Sequence, residues 1–183
     1  NRIPVYRELL ADLETPLSLY LKLADAAYSF LFESFEKGEK WGRYSIIGLP
    51  CSTLITVNDT LITVTKNGEE LERVVHADPL EWIDNYKARF NVPTLPNLPP
   101  FSGGFVGYFG YDTVRYVEPC LGPCHLPDPL KTPDILLMIA DELAILDSMK
   151  NKLYLIVHVE SDDPEAIRAA NERLDELTHL LHT

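Results

Sequence analysis

Apolar residues near the end of the chain recur at every third or fourth position. This series consists of Ile167, Ala170, Leu174, Leu177 and Leu181, and charged residues occupy much of the sequence between them. Steps of three and four place side chains on one face of a helix. The pattern therefore predicts an amphipathic helix that buries a single apolar stripe.

Three predicted helix starts share one local chemistry, a Thr or Asp residue followed by proline. The first residue of each pair favours the N-cap, and proline suits the first helical position. Glu81 follows Asp78 by three residues, which is the spacing of a capping box. The pairs are Thr15-Pro16, Asp78-Pro79 and Asp163-Pro164, and the predicted helices cover residues 15–25, 78–90 and 163–183.

Between the helices the hydrophobic period falls to two, and Ile, Val and Thr are frequent, which is typical of strands. Short turns such as Asn67-Gly68 and Met149-Lys150-Asn151 separate neighbouring strands, and turns this short join antiparallel partners. The sequence therefore predicts an α+β fold, with antiparallel sheet covered by helices. The predicted strands cover residues 52–57, 61–66, 69–75, 135–140, 142–147 and 152–159.

A proline-rich segment over residues 91–101 interrupts the chain. A linker between two domains and a crossover inside one domain both fit this composition. We favour the crossover, because neither half of the chain has enough predicted helix to cover its own sheet. The sequence thus predicts a single domain over residues 1–183, a length that can bury a substantial core.

The charge balance limits the classes of partner. Lys plus Arg number 16 and Asp plus Glu number 28, so the net charge is −12. Such a surface repels phosphate backbones and anionic membranes, and no apolar run has membrane-spanning length. Three cysteines in 183 residues make no disulfide framework, which favours a reducing cytoplasm.

Two short motifs suggest chemistry that their spacing does not support. The segment GGFVGYFGYD (103–112) lacks the glycine order of a dinucleotide fingerprint, and no helix pattern follows it. We interpret it as a strand whose glycines permit close backbone approach. Cys120, Cys124 and His125 fit no familiar zinc spacing, so we expect neither a metal site nor a disulfide there. The residues alone reveal no catalytic centre.

The segment LFESFEKGEKWGRYSIIG (31–48) leaves two interpretations open. In the plainer one, Glu33 and Ser34 end a strand, and Arg43 pairs with an acid. In the other, the segment forms part of a clamp for an amino acid. Glu33 or nearby carbonyls would bind the ammonium, Ser34 the carboxylate, and Phe32 an apolar side chain.

Three segments together resemble the N-terminal region of anthranilate synthase component I, a family of chorismate-utilising enzymes. They are ETPLSLYLKL (14–23), FLFESFEKGEKWGRYSIIG (30–48) and GGFVGYFGYDTVRYVE (103–118), and they occur in the family's order. The resemblance implies a lyase that converts chorismate and ammonia to anthranilate and pyruvate with Mg²⁺. A glutamine amidotransferase subunit, component II, would supply the ammonia. This reaction is the first step of tryptophan biosynthesis, and L-tryptophan inhibits it.

The family's catalytic residues and Mg²⁺ ligands belong to a C-terminal chorismate-binding region, which this sequence does not include. The resemblance therefore implies no catalytic residue and no metal ligand within residues 1–183. We expect the chain to be the N-terminal regulatory and scaffold domain of a longer enzyme, and to be inactive alone. The implied architecture of the whole enzyme is an α/β/β/α layered one.

The resemblance also selects the clamp interpretation of the 31–48 segment. In the family, a Leu-Leu-Glu-Ser stretch contacts the inhibitory tryptophan, and Leu31-Phe32-Glu33-Ser34 matches it with Phe in place of the second Leu. We predict Ser34 first, then Glu33, as tryptophan contacts, with Phe32 facing the side chain and Arg43 orienting the site. The rest of that pocket would come from the C-terminal region.

Three alternatives remain at this point. Aminodeoxychorismate synthase component I shares the region, although LFES and GRYSIIG are closer to the anthranilate enzyme. A non-catalytic binding or scaffold module could use the same fold. A thiol–metal module on Cys120 and Cys124 would carry stoichiometric zinc.

Overall fold

The structure is a computed structural model that describes residues 2–33, 42–93, 95–122 and 128–182. Its helices are α1 Pro16–Leu23, α2 Pro79–Lys87, α3 Val114–Val117 and α4 Pro164–Leu181. Its strands are β1 Ile3–Leu10, β2 Phe30–Phe32, β3 Tyr44–Gly48, β4 Thr53–Asn58, β5 Leu61–Lys66, β6 Glu69–Val75, β7 Gly104–Phe109, β8 Ile135–Ala140, β9 Glu142–Asp147 and β10 Lys152–Val159. The predicted α+β class is confirmed. None of the described helices is long and apolar enough to cross a bilayer.

The chain divides into two compact units that interleave along the sequence. The first comprises Asn1–Cys51, Asn91–Gly104 and Ala140–Thr183, and the second comprises Ser52–Phe90 and Phe105–Ile139. The proline-rich segment therefore lies within the first unit. That the chain acts as one regulatory domain stays a prediction.

The first unit is built on an antiparallel sheet with the strand order β1-β10-β9-β3-β2. Helices α1 and α4 supply apolar side chains to a core that this sheet completes. Burying one such side chain contributes about 1.5–3 kcal/mol, so the stripe predicted on α4 stabilises this unit. Fully buried members of the core are Leu19, Ile47, Leu153, Leu155, Leu174 and Leu177.

The second unit contains a sheet with the strand order β6-β5-β4-β8-β7. Helix α2 buries Trp82, Ile83 and Tyr86 in the core of this unit. The ring centroids of Trp82 and Tyr86 lie 4.9 Å apart in a stacked arrangement. The sheet contributes the remaining side chains of this core, which include Ile55, Val57, Ile62, Val64, Ile135 and Leu137.

The predicted N-caps are all present, but the capping box lies at a different helix. Asp78 accepts hydrogen bonds from the N–H groups of Leu80 and Glu81, as an N-cap should. The reciprocal pair occurs at α1, where Thr15 Oγ1 accepts from Ser18 N and Ser18 Oγ accepts from Thr15 N. Serine therefore fills the role for which the sequence pattern expects Glu or Gln.

Strand β1 is an element that the hydrophobic pattern did not predict. Pro4 interrupts its apolar residues, and proline is rare inside sheets. Among the described strands it lies at the sheet edge and pairs with β10 alone, in a register that places Pro4 opposite His158. An edge position tolerates proline because one side of the strand needs no N–H donor.

The glycine-rich segment forms strand β7, as the sequence analysis interpreted it. At Gly107 an added Cβ would overlap the carbonyl oxygen of Leu136 in the neighbouring strand, so the two backbones approach closely. The expectation that no helix follows was wrong. A 3-10 turn over Tyr111–Thr113 leads directly into α3, which is only four residues long and therefore has little periodic signal.

We predict that Gly107→Ala lowers the free energy of unfolding by about 1–3 kcal/mol, because a methyl group there displaces backbone rather than a flexible side chain. Urea unfolding of the chain measures this change. Ser161→Ala is the control, because Ser161 is exposed and its substitution should leave stability almost unchanged. Equal losses in the two variants would contradict a packing role for Gly107.

Candidate functional site

The segment singled out by the sequence forms the base of a hairpin between β2 and β3. These strands are antiparallel, with Phe30 opposite Gly48 and Phe32 opposite Ile46. The Phe30 ring occupies the space that a side chain at position 48 would need, so glycine is required there. Ser34, within the connection between the two strands, lies outside the described residues.

Phe32 and Glu33 are both exposed at the end of β2. The exposed fraction of Phe32 is 52%, and its ring centroid lies 4.9 Å from that of Phe30. Glu33 follows the last residue of the strand and is accessible to solvent. The two side chains are therefore available to a ligand. That they bind one stays a prediction.

Arg43 meets a buried acid where the chain enters β3. Its Nε and Nη2 atoms donate to Asp147 Oδ1 and Oδ2 at 2.9 and 2.5 Å, a bidentate arrangement. Asp147 is completely buried, and its Oδ1 also accepts from the N–H groups of Met149 and Lys150. The same carboxylate thus anchors Arg43 and closes the turn between β9 and β10.

The electrostatics of this pair follow from burial and hydrogen bonding acting in opposite directions. Burial alone would raise the pKa of the Asp147 carboxyl, but the hydrogen bond and charge of Arg43 hold that pKa below its usual value. The turn N–H groups act in the same direction as Arg43. The carboxylate is therefore ionised at neutral pH.

Arg43 also orders the aromatic side chain beside it. Its guanidinium carbon lies 4.8 Å from the centroid of the Tyr44 ring, in cation–π geometry. Because its Nε and Nη2 atoms donate to Asp147, the guanidinium is held beside the Tyr44 ring. The acid partner matches the plainer interpretation of Arg43, and orientation of a ligand site by this residue stays a prediction.

A cavity of about 400 Å³ opens next to Arg43 and Tyr44 within the first unit. Its size suits a small ligand. Lys152 Nζ lies 2.5 Å from Glu8 Oε2, so that cation is already paired. Lys150 is exposed and forms no ion pair with any described residue. The remaining walls are aromatic or part of the proline-rich segment, namely Tyr44, Tyr154 and Pro96–Pro99.

Sequence reasoning missed Asp147, Lys150 and Tyr154 as parts of this site. It placed them correctly on strands β9 and β10 and the turn between them. Asp147 ends a strand of otherwise apolar and acidic residues, and Arg43 lies 104 positions earlier. A single sequence has no signal that joins residues so far apart.

Of the residues considered for a thiol–metal module, the structure describes only Cys120. Cys120 is exposed, while Cys124 and His125 lie outside the described residues, so the expectation of no disulfide and no metal there stays a prediction. Across residues 2–33, 42–93, 95–122 and 128–182, no three His, Cys, Asp or Glu side chains are grouped to hold a metal ion. His158 is half-buried, and burial together with the charge of Arg2 lowers its pKa to about 4.

Several curated proteins of the same name are similar to this chain. No family model matches it. It is 52% identical to anthranilate synthase component 1 of Pseudomonas aeruginosa, over 99% of this chain and 37% of that protein. Proteins of the same name from Neisseria meningitidis and Acetivibrio thermocellus are 48% and 40% identical, over 97% and 95% of this chain and 36% and 35% of their own lengths. The chain thus spans just over a third of the curated relatives it matches.

A solved structure has the same fold. Anthranilate synthase component I from Streptococcus pneumoniae aligns with a TM-score of 0.56, over 93% of this chain and 36% of that one. The sequences are 22% identical in this alignment, so the likeness concerns the fold. The family resemblance found in the three sequence segments is confirmed by the curated relatives.

We predict that Asp147→Asn lowers the free energy of unfolding at pH 7 by about 1–3 kcal/mol, because Arg43 loses its charged partner. The folded pKa of Asp147 lies below the unfolded value of about 3.9, so the stabilisation is complete above that value. It is lost as pH falls through the folded pKa. The difference in the free energy of unfolding between the wild type and the variant therefore becomes smaller as the pH falls.

Urea unfolding of both proteins between pH 7 and pH 3 measures this gap. Asp162→Asn is the control, because Asp162 is exposed and its removal should leave stability almost unchanged. A gap for Asp147→Asn that stayed constant across the range would argue against an ionised, paired carboxylate.

Proposed function

Because the chain is homologous over almost its whole length to anthranilate synthase component 1, we propose that it is the regulatory part of such an enzyme. The full-length protein would act in the cytoplasm on chorismate and ammonia, and would release anthranilate and pyruvate as the first step of tryptophan biosynthesis. The name component 1 implies a second component, and we propose the glutamine amidotransferase subunit in that role. The 52% identity supports this assignment over the aminodeoxychorismate alternative.

We place the lyase chemistry outside this chain. The chain corresponds to 37% of the length of its Pseudomonas aeruginosa relative, which leaves most of that protein for the chorismate site. The described residues include no metal-binding group of three His, Cys, Asp or Glu side chains, so they do not fit Mg²⁺. Magnesium would act in the remaining part of the enzyme, where it supplies charge stabilisation for the reaction.

The regulatory assignment rests on the cavity at the base of the β2–β3 hairpin. Glu33 directly follows β2, and Arg43 directly precedes β3. The connection that contains Ser34 therefore runs between these two residues. Arg43 and Tyr44 line the cavity directly. A ligand held by residues 32–34 would therefore lie against groups that the Arg43–Asp147 pair keeps in place.

The chemistry of the cavity suits an amino acid with an aromatic side chain. Lys150, which forms no ion pair with any residue in the described part of the chain, would place its ammonium beside the ligand carboxylate. The Ser34 hydroxyl would donate to the same carboxylate. Glu33 would accept from the ligand ammonium. Phe32, which is exposed at the end of β2, would face the indole. L-Tryptophan, the end product of the proposed pathway, carries all three groups: a carboxylate, an ammonium and an indole.

We predict that the purified 183-residue chain forms no anthranilate, because the chorismate site lies in the rest of the enzyme. Anthranilate fluorescence in the presence of chorismate, ammonium and Mg²⁺ measures the activity, with the full-length protein as the positive control. Turnover by the chain alone would overturn the placement of the chemistry.

We predict that Ser34→Ala in the full-length enzyme weakens inhibition by tryptophan. An unpaired partner in a closed pocket costs about 1–3 kcal/mol, which corresponds to roughly 5- to 150-fold in the inhibition constant. The readout is the ratio of rates with and without tryptophan across a concentration series. Lys150→Ala should shift the same ratio in the same direction, because it removes the cation of the cavity.

Ser161→Ala is the matched control, since Ser161 is exposed and does not line the cavity. In the plainer interpretation, Ser34 only ends a strand, and its loss changes stability without changing inhibition. A Ser34→Ala enzyme that tryptophan inhibits at the wild-type concentration would therefore refute the regulatory assignment. The enzyme assignment would survive that result.

A further inference from the structure

The proline-rich segment supplies one wall of the cavity beside Arg43. We call residues 95–103 the proline-rich wall. Its members that line the cavity are Pro96, Asn97, Leu98 and Pro99. Because the place of this wall sets the width of the cavity, any contact that fixes the wall also affects how well a ligand fits.

His158 lies on the same face of the first sheet as the cavity. Successive side chains of a strand point to opposite faces. The β10 residues that join the core of α1 and α4 are Leu153, Leu155 and Val157. Tyr154 and His158 therefore lie on the other face, where Tyr154 lines the cavity together with the proline-rich wall.

The His158 ring lies directly against the last residue of the wall, Gly103. A Cβ added at Gly103 would lie 2.5 Å from His158 Cε1 and 2.9 Å from His158 Nε2. Gly103 also has a φ of +146°, a conformation that residues with a Cβ rarely adopt. Glycine at this position therefore lets the end of the wall rest on the imidazole ring.

The His158 ring is itself held in place by the residue before β9, Asp141. The Asp141 carbonyl oxygen accepts from His158 N at 2.8 Å and lies 3.1 Å from His158 Nδ1. A carbonyl oxygen only accepts, so Nδ1 carries the ring proton in this contact. Arg2 forms ion pairs with Asp141 and Glu160, which keep Asp141 in position. The support under Gly103 is therefore fixed on the sheet.

The composition of the wall makes it depend on the support at its end. Pro96, Pro99 and Pro100 are three of its nine residues, and a proline has a fixed φ and no N–H to donate. Only residues 100–102 separate Pro99 from Gly103. A displacement of Gly103 is therefore carried to Pro99 and the cavity rather than absorbed between them.

We propose that His158 is a positioning residue for the feedback site, because its ring supports Gly103 and so fixes the proline-rich wall. Through the wall it sets the affinity of the cavity for tryptophan. The identity of the ligand rests on the proposed function, whereas the support of the wall rests on the contacts of His158 alone. His158 does not line the cavity, so it acts without touching the ligand.

Residue-resolved hydrogen exchange of the full-length protein tests the support of the wall. The Leu98 N–H donates to Leu95 O at 3.2 Å, so its exchange reports opening of the wall. We expect His158→Ala to speed exchange at Leu98 by roughly tenfold or more. His158→Asn keeps a donor for the Asp141 carbonyl but lacks the atoms that meet Gly103, so it should behave like His158→Ala. His179→Ala is the control, because His179 is exposed and does not line the cavity.

Two neighbouring glycines separate the contact from backbone strain. Gly104 has a φ of +144°, close to that of Gly103, but a Cβ added there meets only Phe101 Cε2 at an ordinary 3.6 Å. We expect Gly103→Ala to speed exchange at Leu98 by roughly threefold or more over Gly104→Ala. In the His158→Ala background this excess should disappear, because the ring that the methyl group meets is gone. Equal effects of the two glycine variants, or unchanged exchange in His158→Ala, would overturn the support of the wall.

Inhibition of the full-length enzyme tests the effect on the ligand. We expect His158→Ala to raise the tryptophan concentration for half-inhibition by roughly fivefold or more, because a displaced wall loses its packing contacts with the ligand. The ratio of rates with and without tryptophan cancels any loss of active enzyme, and His179→Ala should leave this ratio unchanged. Faster exchange of the wall with unchanged inhibition would refute the positioning role. A wild-type enzyme that tryptophan does not inhibit would instead refute the proposed function, and the exchange rates would still decide whether His158 fixes the wall.

Discussion

The buried carboxylate of Asp147 determines the geometry on which the candidate site depends. It ends the central strand β9, opposite Tyr44 of β3 and Lys152 of β10, and both of these residues line the cavity. Removing a carboxylate from water costs several kcal/mol unless charged and N–H partners replace the lost hydration. Arg43 and the turn N–H groups are those partners. The requirement to satisfy one carboxylate therefore sets the relative positions of the strands around the cavity.

Local chemistry explains why so much of the fold was predictable. An N-cap and its proline act within a few residues, so the starts of α1, α2 and α4 follow directly from the sequence. Asn67 and Gly68 both adopt positive φ, as their hairpin turn requires. The misses have physical causes as well. Pro4 interrupts the apolar pattern of β1, so this edge strand was not predicted. The Arg43–Asp147 pair joins residues 104 positions apart, whereas periodicity and capping concern residues close together in the sequence.

The two edge strands of the second sheet differ in charge. With a net charge of −12, most of the chain's surface is suited to water, and β6 shares that character. Strand β7 departs from it, because none of its six residues, GFVGYF, is charged. The glycine motif that forms this strand is constrained by the backbone contact between Gly107 and Leu136.

A feedback site divided between two parts of a protein has a thermodynamic advantage. A ligand shifts a conformational equilibrium only by its difference in affinity for the two states. The Arg43–Asp147 pair lies within this chain, so the cavity beside it would on its own bind a ligand equally in any arrangement of the remaining enzyme. The difference arises when the second half of the pocket comes from that remaining part, because closure around the ligand then depends on where that part lies. By reciprocity, an arrangement of the proposed enzyme that binds chorismate more tightly would bind tryptophan more weakly by the same free energy. The proposed half-site would regulate chemistry elsewhere in this way.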